Sequence, residues 1–133
     1  MDKKFCKYDK ETKTMYRWKT MVYNAPFQVY INKWRVPYPC PSHISVEIFE
    51  LDERPRSINY LYQEELLANP ELFSDPIVAR ITFSEKRSVT FMYKSDLNDD
   101  VREAGDIFIP QKYLNMLHPK RLIIVINWEK GNG

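Results

Sequence analysis

The chain has 133 residues, 44% of them hydrophobic and 14% aromatic, with a formal net charge of +2. That is a comfortable length for one domain and short for two, with material for a sizeable core, and the composition is not that of a disordered chain. No apolar run approaches the roughly 20 residues that span a bilayer, and Met1 to Lys7 has charges but no apolar stretch behind them, so no membrane contact is expected and the reading is cytoplasmic.

Residues 1–12 are polar and charged and read as a flexible basic N-terminal arm. Residues 13–130 read as a single globular domain, and Gly131-Asn132-Gly133 as a loose C-terminus. Met15 to Tyr23 alternates, with Tyr16, Trp18, Thr20 and Val22 on one side and Arg17, Lys19 and Met21 on the other. Asn24-Ala25-Pro26 breaks the run. Phe27 to Val36 alternates again and completes a predicted hairpin. The three prolines of Pro37-Tyr38-Pro39-Cys40-Pro41 force a stiff connector or a sheet edge. His43 to Leu51 predicts a third strand. Ser57 is placed to cap a helix carrying Ile58, Leu61, Tyr62 and Leu66 at helical spacing, stopped by Asn69-Pro70. Ile77 to Phe83 and Ser88 to Tyr93 predict another hairpin. The acidic stretch Lys94 to Gly105 reads as an exposed loop. A short strand over Ile107 to Ile109 leads to a helix from Pro110 through Leu117, with His118 expected as a capping cation near its end. Leu122 to Trp128 is the last predicted strand, and its continuous apolar run implies burial on both faces. The fold class is α+β and β-rich: a mostly antiparallel curled sheet or small open barrel of six or seven strands with two short helices.

Glycine occurs only at positions 105, 131 and 133. A phosphate-cradling loop needs glycines so that backbone donors can approach the anion, so dinucleotide-binding and P-loop chemistry are excluded and no cofactor is expected. The two cysteines, Cys6 and Cys40, could form one disulfide, but in a chain with this core two reduced thiols fit better. Cys40 and His43 have the Cys-x-x-His spacing of two zinc ligands, without the second pair that a structural site uses. Asp96, Asp99 and Asp100, with Lys94 nearby, are the residues a metal-dependent hydrolase would use, against the alternative of a solvated loop.

Residues 1–40 hold nine Lys/Arg and three acids, a balance of +6; residues 41–133 hold the remaining eleven Lys/Arg and fifteen acids, a balance of −4. Within the basic part, Arg17, Lys19, Lys33 and Arg35 alternate with Tyr16, Trp18, Tyr30 and Trp34. Cations that neutralise phosphates beside aromatics that stack bases make a nucleic-acid surface; the same alternation describes an ordinary core with a charged outer face. Gly105 to Leu117 followed by Leu122 to Ile126, about a fifth of the chain, resembles the strand, Ile-Pro, short helix, strand unit of AbrB-type swapped-hairpin DNA-binding domains. Those place Lys-Pro-Gly-Asp before the last strand, where this chain has His118-Pro119-Lys120-Arg121. The leading expectation is a small non-catalytic binding module, its ligand nucleic acid held by the basic hairpin. The alternatives are a protein-interaction or assembly subunit, with a protein partner or a homo-oligomer contacting the proline-rich edge near Pro37–Pro41 or an exposed aromatic patch, and the hydrolase.

Overall fold

The structure, a computed structural model, describes residues 2–51 and 58–129. Eight strands close into an antiparallel barrel. They are β1 (Lys4–Glu11), β2 (Met15–Val22), β3 (Ala25–Asn32), β4 (His43–Glu50), β5 (Ile77–Lys86), β6 (Thr90–Ser95), β7 (Ala104–Pro110) and β8 (Arg121–Glu129). Their order around the barrel is β1-β2-β3-β7-β6-β5-β8-β4, returning to β1. The sheet is therefore closed rather than open, with more strands than the six or seven expected. The extra strand is β1. Residues 4–11, expected as a frayed arm, pair with β2 on one side and β4 on the other. Cys6 anchors this mostly charged segment; it is fully buried in the core, and the Tyr8 ring packs on Tyr16 and Trp18.

Strand alternation fills the interior. Trp18, Phe27, Val29, Ile31, Ile44, Val46, Ile48, Ile107 and Ile124 all join one core cluster. Eight strands enclose just enough space for their own side chains. The outer wall carries Lys7, Lys19, Arg80 and Lys94, which are half-buried or exposed. That polarity is the inverse of a lipid-facing barrel. Among the described residues no helix is long and apolar enough to cross a membrane.

Three connections skip over strands, and each seals a surface. Residues 33–42 run from β3 to β4 across one mouth, here the upper one, passing over β2 and β1. Trp18 Nε1 donates to the Pro41 carbonyl at 3.0 Å and the Tyr8 amide donates to the Ser42 carbonyl at 2.7 Å. Residues 111–120 run from β7 to β8 across the lower mouth. Tyr93 Oη donates to the Pro119 carbonyl at 2.7 Å, and His118 stacks on Phe83 with ring centroids 4.7 Å apart. The third connection crosses the outside of the wall. Ile58, with Phe49, packs on Val78, Ile123 and Val125. This explains the uninterrupted apolar run of β8: Leu122, Ile124 and Ile126 face the barrel core, while Ile123 and Val125 are covered from outside.

Helix is scarce. The α-helix α1 spans Gln63–Ala68, and short 3-10 turns occupy Lys33–Arg35, Pro70–Ser74 and Gln111–Leu114. Ser57, the expected cap, and the C-terminal residues 131–133 lie outside the described residues. The helix expected from Pro110 through Leu117 shortens to one turn, because Pro110 ends β7 and Asn115 and Met116 take left-handed backbone (φ 54° and 64°). The turn is ended by Asn115, not by His118. The unit that resembles a swapped hairpin is not one here, since β7 lies between β3 and β6 and β8 between β5 and β4.

Gly105 sits where β7 faces β3. A Cβ there would lie 2.6 Å from Met15 Sδ. The absence of a side chain lets Met15 lie across the outer face of the sheet.

Candidate functional site

The predicted basic hairpin exists as β2 and β3, paired from Met15↔Asn32 to Val22↔Ala25. Its proposed ligand-contacting residues do not share one surface. Trp18 is fully buried, in ring contact with Tyr8, Tyr16 and Trp128 at 5.9–6.3 Å. It is a core residue and offers no face to a base.

Arg35 is also fully buried. β3 ends at Asn32, and the 3-10 turn over Lys33–Arg35 carries the guanidinium inward. There it meets Glu103 (Nε to Oε2, 2.5 Å) and the carbonyls of Phe73 (3.1 Å) and Asp75 (2.6 Å). Glu103 in turn accepts from the Leu61 amide at 3.1 Å. Trp128 completes the knot: its Nε1 donates to the Asp75 carbonyl at 3.1 Å, and its ring lies 5.5 Å from the Arg35 guanidinium carbon. This knot ties five chain segments together under the upper mouth. Arg35 therefore cannot reach a phosphate, and an Arg35→Glu change would report on folding, not on binding.

The other cations of the hairpin are mostly neutralised. Arg17 Nε donates to Asp9 at 2.6 Å and its Nη1 to Tyr30 Oη at 3.2 Å. Lys33 Nζ bonds Glu11 at 2.5 Å and lies 5.3 Å from the Tyr16 ring. Lys19 is half-buried on the outer face, directly opposite Lys7 of β1 and Gln28 of β3. Trp34 lines a cleft of about 570 Å³ at the upper mouth with Lys13, Lys33, Asp99 and Arg102. The sequence pattern thus separates into a core pair, two ion pairs and an isolated row of lysines.

The other candidate chemistry is dispersed. Cys40 is exposed, and His43 Nδ1 lies 2.9 Å from Ser42 Oγ. Asp96 accepts from Thr82 Oγ1 at 2.5 Å, and Asp99 pairs with Arg102 at 3.4 Å. Among the described residues no three His, Cys, Asp or Glu side chains converge as a metal-ligand set.

The connection over the upper mouth is the feature that combines rigidity with exposure. Its ends are fixed by the Trp18 and Tyr8 hydrogen bonds and by the buried Val36 and Arg35. Between them Tyr38 stands 99% exposed. Clefts lie on either side. One, of about 480 Å³, is lined by Val36, Pro37, Tyr38, Pro70, Glu71 and Phe73. The other, of about 530 Å³, is lined by Pro39, Cys40, Pro41, Ser74, Trp128 and Glu129. The run of prolines was legible in the sequence; the complete exposure of Tyr38 was not.

Both cysteines are free thiols, Cys6 buried and Cys40 exposed. Burial pushes the Cys6 thiol up to about 12, and partial desolvation with the nearby Glu11 charge raises that of Cys40. The thiolate is the reactive form. One equivalent of a thiol reagent should therefore react with the native protein at pH 8, at Cys40 and more slowly than with a free thiol, and the second only in denaturant. Two fast equivalents in the native protein would contradict this placement of β1.

The chain matches no known protein family, no curated protein and no solved structure.

Proposed function

We propose that this protein is a non-catalytic protein-interaction module that engages its partner through the upper mouth of the barrel, with Tyr38 as the anchor. The observation that carries the reading is the full exposure of a tyrosine on a connection whose ends are pinned. A large aromatic held out on stiff backbone loses little conformational freedom on binding, and such residues dominate interface energetics. The flanking clefts supply apolar walls, Pro37, Phe73, Pro39 and Trp128, for the partner's side chains. A photo-crosslinking amino acid placed at Tyr38 should give discrete protein adducts in cells, while the same group at Lys94 on the outer wall should give none. Equal labelling from both positions, or none from Tyr38, would remove the upper mouth as a contact surface.

A second reading, nucleic-acid contact, keeps one observation in its favour. Lys7, Lys19, Gln28 and Phe108 occupy facing positions on four adjacent strands. Adjacent strands lie about 4.8 Å apart, so the row presents two cations beside an aromatic ring on the outer wall. Oligonucleotide binding that weakens steeply with salt and is lost in the Lys7→Glu/Lys19→Glu variant would support it. Binding unchanged in that variant would reject it.

A further inference from the structure

The two mouths of the barrel differ in charge. Around the upper mouth the connections carry Glu64, Glu65, Glu71, Asp99 and Asp100, all exposed, with Asp99 paired to Arg102; Arg35 and Arg102 are buried, Lys33 is paired with Glu11, and Lys13 is an exposed cation among the acids. Around the lower mouth Lys86, Lys112, Lys120 and Arg121 are exposed without an ion-pair partner among the described residues, and they outnumber the exposed acids there, Glu50 and the Arg87-paired Glu85. Each end also presents apolar side chains to solvent: Tyr38, Leu67 and Val101 above, Tyr23, Val89 and Met116 below.

The lower mouth contains a groove of about 320 Å³, lined by Tyr23, Asn24, Val89, Pro110, Lys112 and Met116. Its walls are held in place. Tyr23 and Met116 both have left-handed backbone, at φ 52° and 64°. Bulky residues keep such a conformation only where surrounding structure imposes it. At Met116 that structure is visible: its amide donates to the Gln111 carbonyl at 2.8 Å, and Gln111 Nε2 donates to the Arg87 carbonyl at 2.7 Å.

We infer that the occupant of this groove is the upper mouth of a second copy of the chain. This rests on the proposed role of Tyr38 as an interaction anchor. Tyr38 of one copy seats between Tyr23, Val89 and Met116 of the next, and Glu71, which shares the Tyr38 cleft, faces Lys112. The phenol ring gains the apolar walls and the Lys112 ammonium, and acidic and basic rims meet across the contact. Because different surfaces of the two copies touch, the contact is head-to-tail. It leaves one free upper and one free lower mouth at each stage, so assembly continues into rings or filaments.

Sedimentation velocity on three proteins tests this: the full chain, Tyr38→Asp at the upper mouth and Met116→Asp at the lower. Aspartate tolerates left-handed backbone, so the lower variant should keep its fold, which circular dichroism checks. The unaltered chain should grow in mass from micromolar to millimolar concentration at low salt and revert towards monomer as salt is raised. Each variant alone should be monomeric, its association weakened at least tenfold. An equimolar mixture should form a dimer and nothing larger, because only one intact upper and one intact lower mouth remain to combine. An unaltered chain that stays monomeric at millimolar concentration, or a mixture that yields no dimer, overturns the inference. If that monomeric chain still crosslinks from position 38 to a different protein, the interaction role of Tyr38 stands without self-assembly. If it crosslinks to nothing, both fail.

Discussion

Replacing Arg35 with methionine should cost about 3–5 kcal/mol of folding stability, because the change leaves Glu103 buried without its counter-charge. Both side chains are essentially inaccessible, at 0% and 1% exposure. The loss should lower the melting temperature by roughly 10–20 °C in a domain of this size. Glu103→Gln should be comparably damaging for the reciprocal reason: it keeps an acceptor for the Leu61 amide but strands a guanidinium. The double change Arg35→Met/Glu103→Leu should be less damaging than the sum of the singles, since no charge is then left unpaired. Recovery will be incomplete, because the Leu61 amide and the Phe73 carbonyl lose the partners they have now.

The pH dependence carries a sign that identifies the cause. Burial raises the Glu103 carboxyl above its ordinary value, with the Arg35 hydrogen bond and the Leu61 amide opposing. An acid whose pKa is higher folded than unfolded favours the folded state fully below the unfolded value, near 4.3. That advantage fades as pH rises through the folded value. Without Arg35 the folded value rises further. The deficit of Arg35→Met should therefore be greatest at neutral pH and shrink as acid protonates Glu103. Thermal melts of the two proteins between pH 4 and 8 measure it. A deficit below about 1 kcal/mol, or one that grows on acidification, would mean that the pair does not hold the upper mouth together.

Trp18→Ala should be about as costly, at roughly 3–5 kcal/mol. The indole fills the core beneath the upper mouth and makes edge contacts with Tyr8, Tyr16 and Trp128. It also bonds the Pro41 carbonyl, so its removal opens a cavity and releases one end of the connection that presents Tyr38. Trp18→Phe should keep most of the packing and lose the hydrogen bond and part of the volume, for an expected cost of about 1–3 kcal/mol. Denaturant titration gives the stabilities. Crosslinking from position 38 in the Trp18→Phe background gives the effect on the connection. The two readouts should fall together if Trp18 positions the loop, and stability alone should fall if it only fills space.

Tyr38→Ala separates anchor from scaffold. The side chain touches little of its own chain, so stability should change by less than about 0.5 kcal/mol while the interaction weakens at least tenfold.

The strands were legible because alternation is a local signal. Met15 to Tyr23, Phe27 to Val36 and His43 to Leu51 read as strands from it. Trp18, Val22, Phe27, Val29, Ile31, Ile44, Val46 and Ile48 lie in the core as the alternation requires, although β3 already begins at Ala25, within the expected break, and ends at Asn32. A one-residue slip would turn those core residues to solvent. The double-sided burial of β8 was likewise written in Leu122 to Ile126. Three things were decided only by the tertiary structure. Residues 4–11 are mostly charged, and became strand because β2 and β4 offered pairing edges on both sides. Arg35 and Trp18 continued the hairpin's alternation in sequence, but alternation assigns a face without saying what lies against it. The interior of the closed barrel claimed Trp18, and a carboxylate 68 residues away claimed Arg35. The charge asymmetry read along the chain, basic before residue 41 and acidic after it, does not map onto the two mouths: the exposed acids Glu64, Glu71 and Asp100 of one and the exposed cations Lys86, Lys112 and Arg121 of the other all come from residues 41–133. Antiparallel strands return each connection to one of two ends, so charges distant in sequence gather by end and not by order.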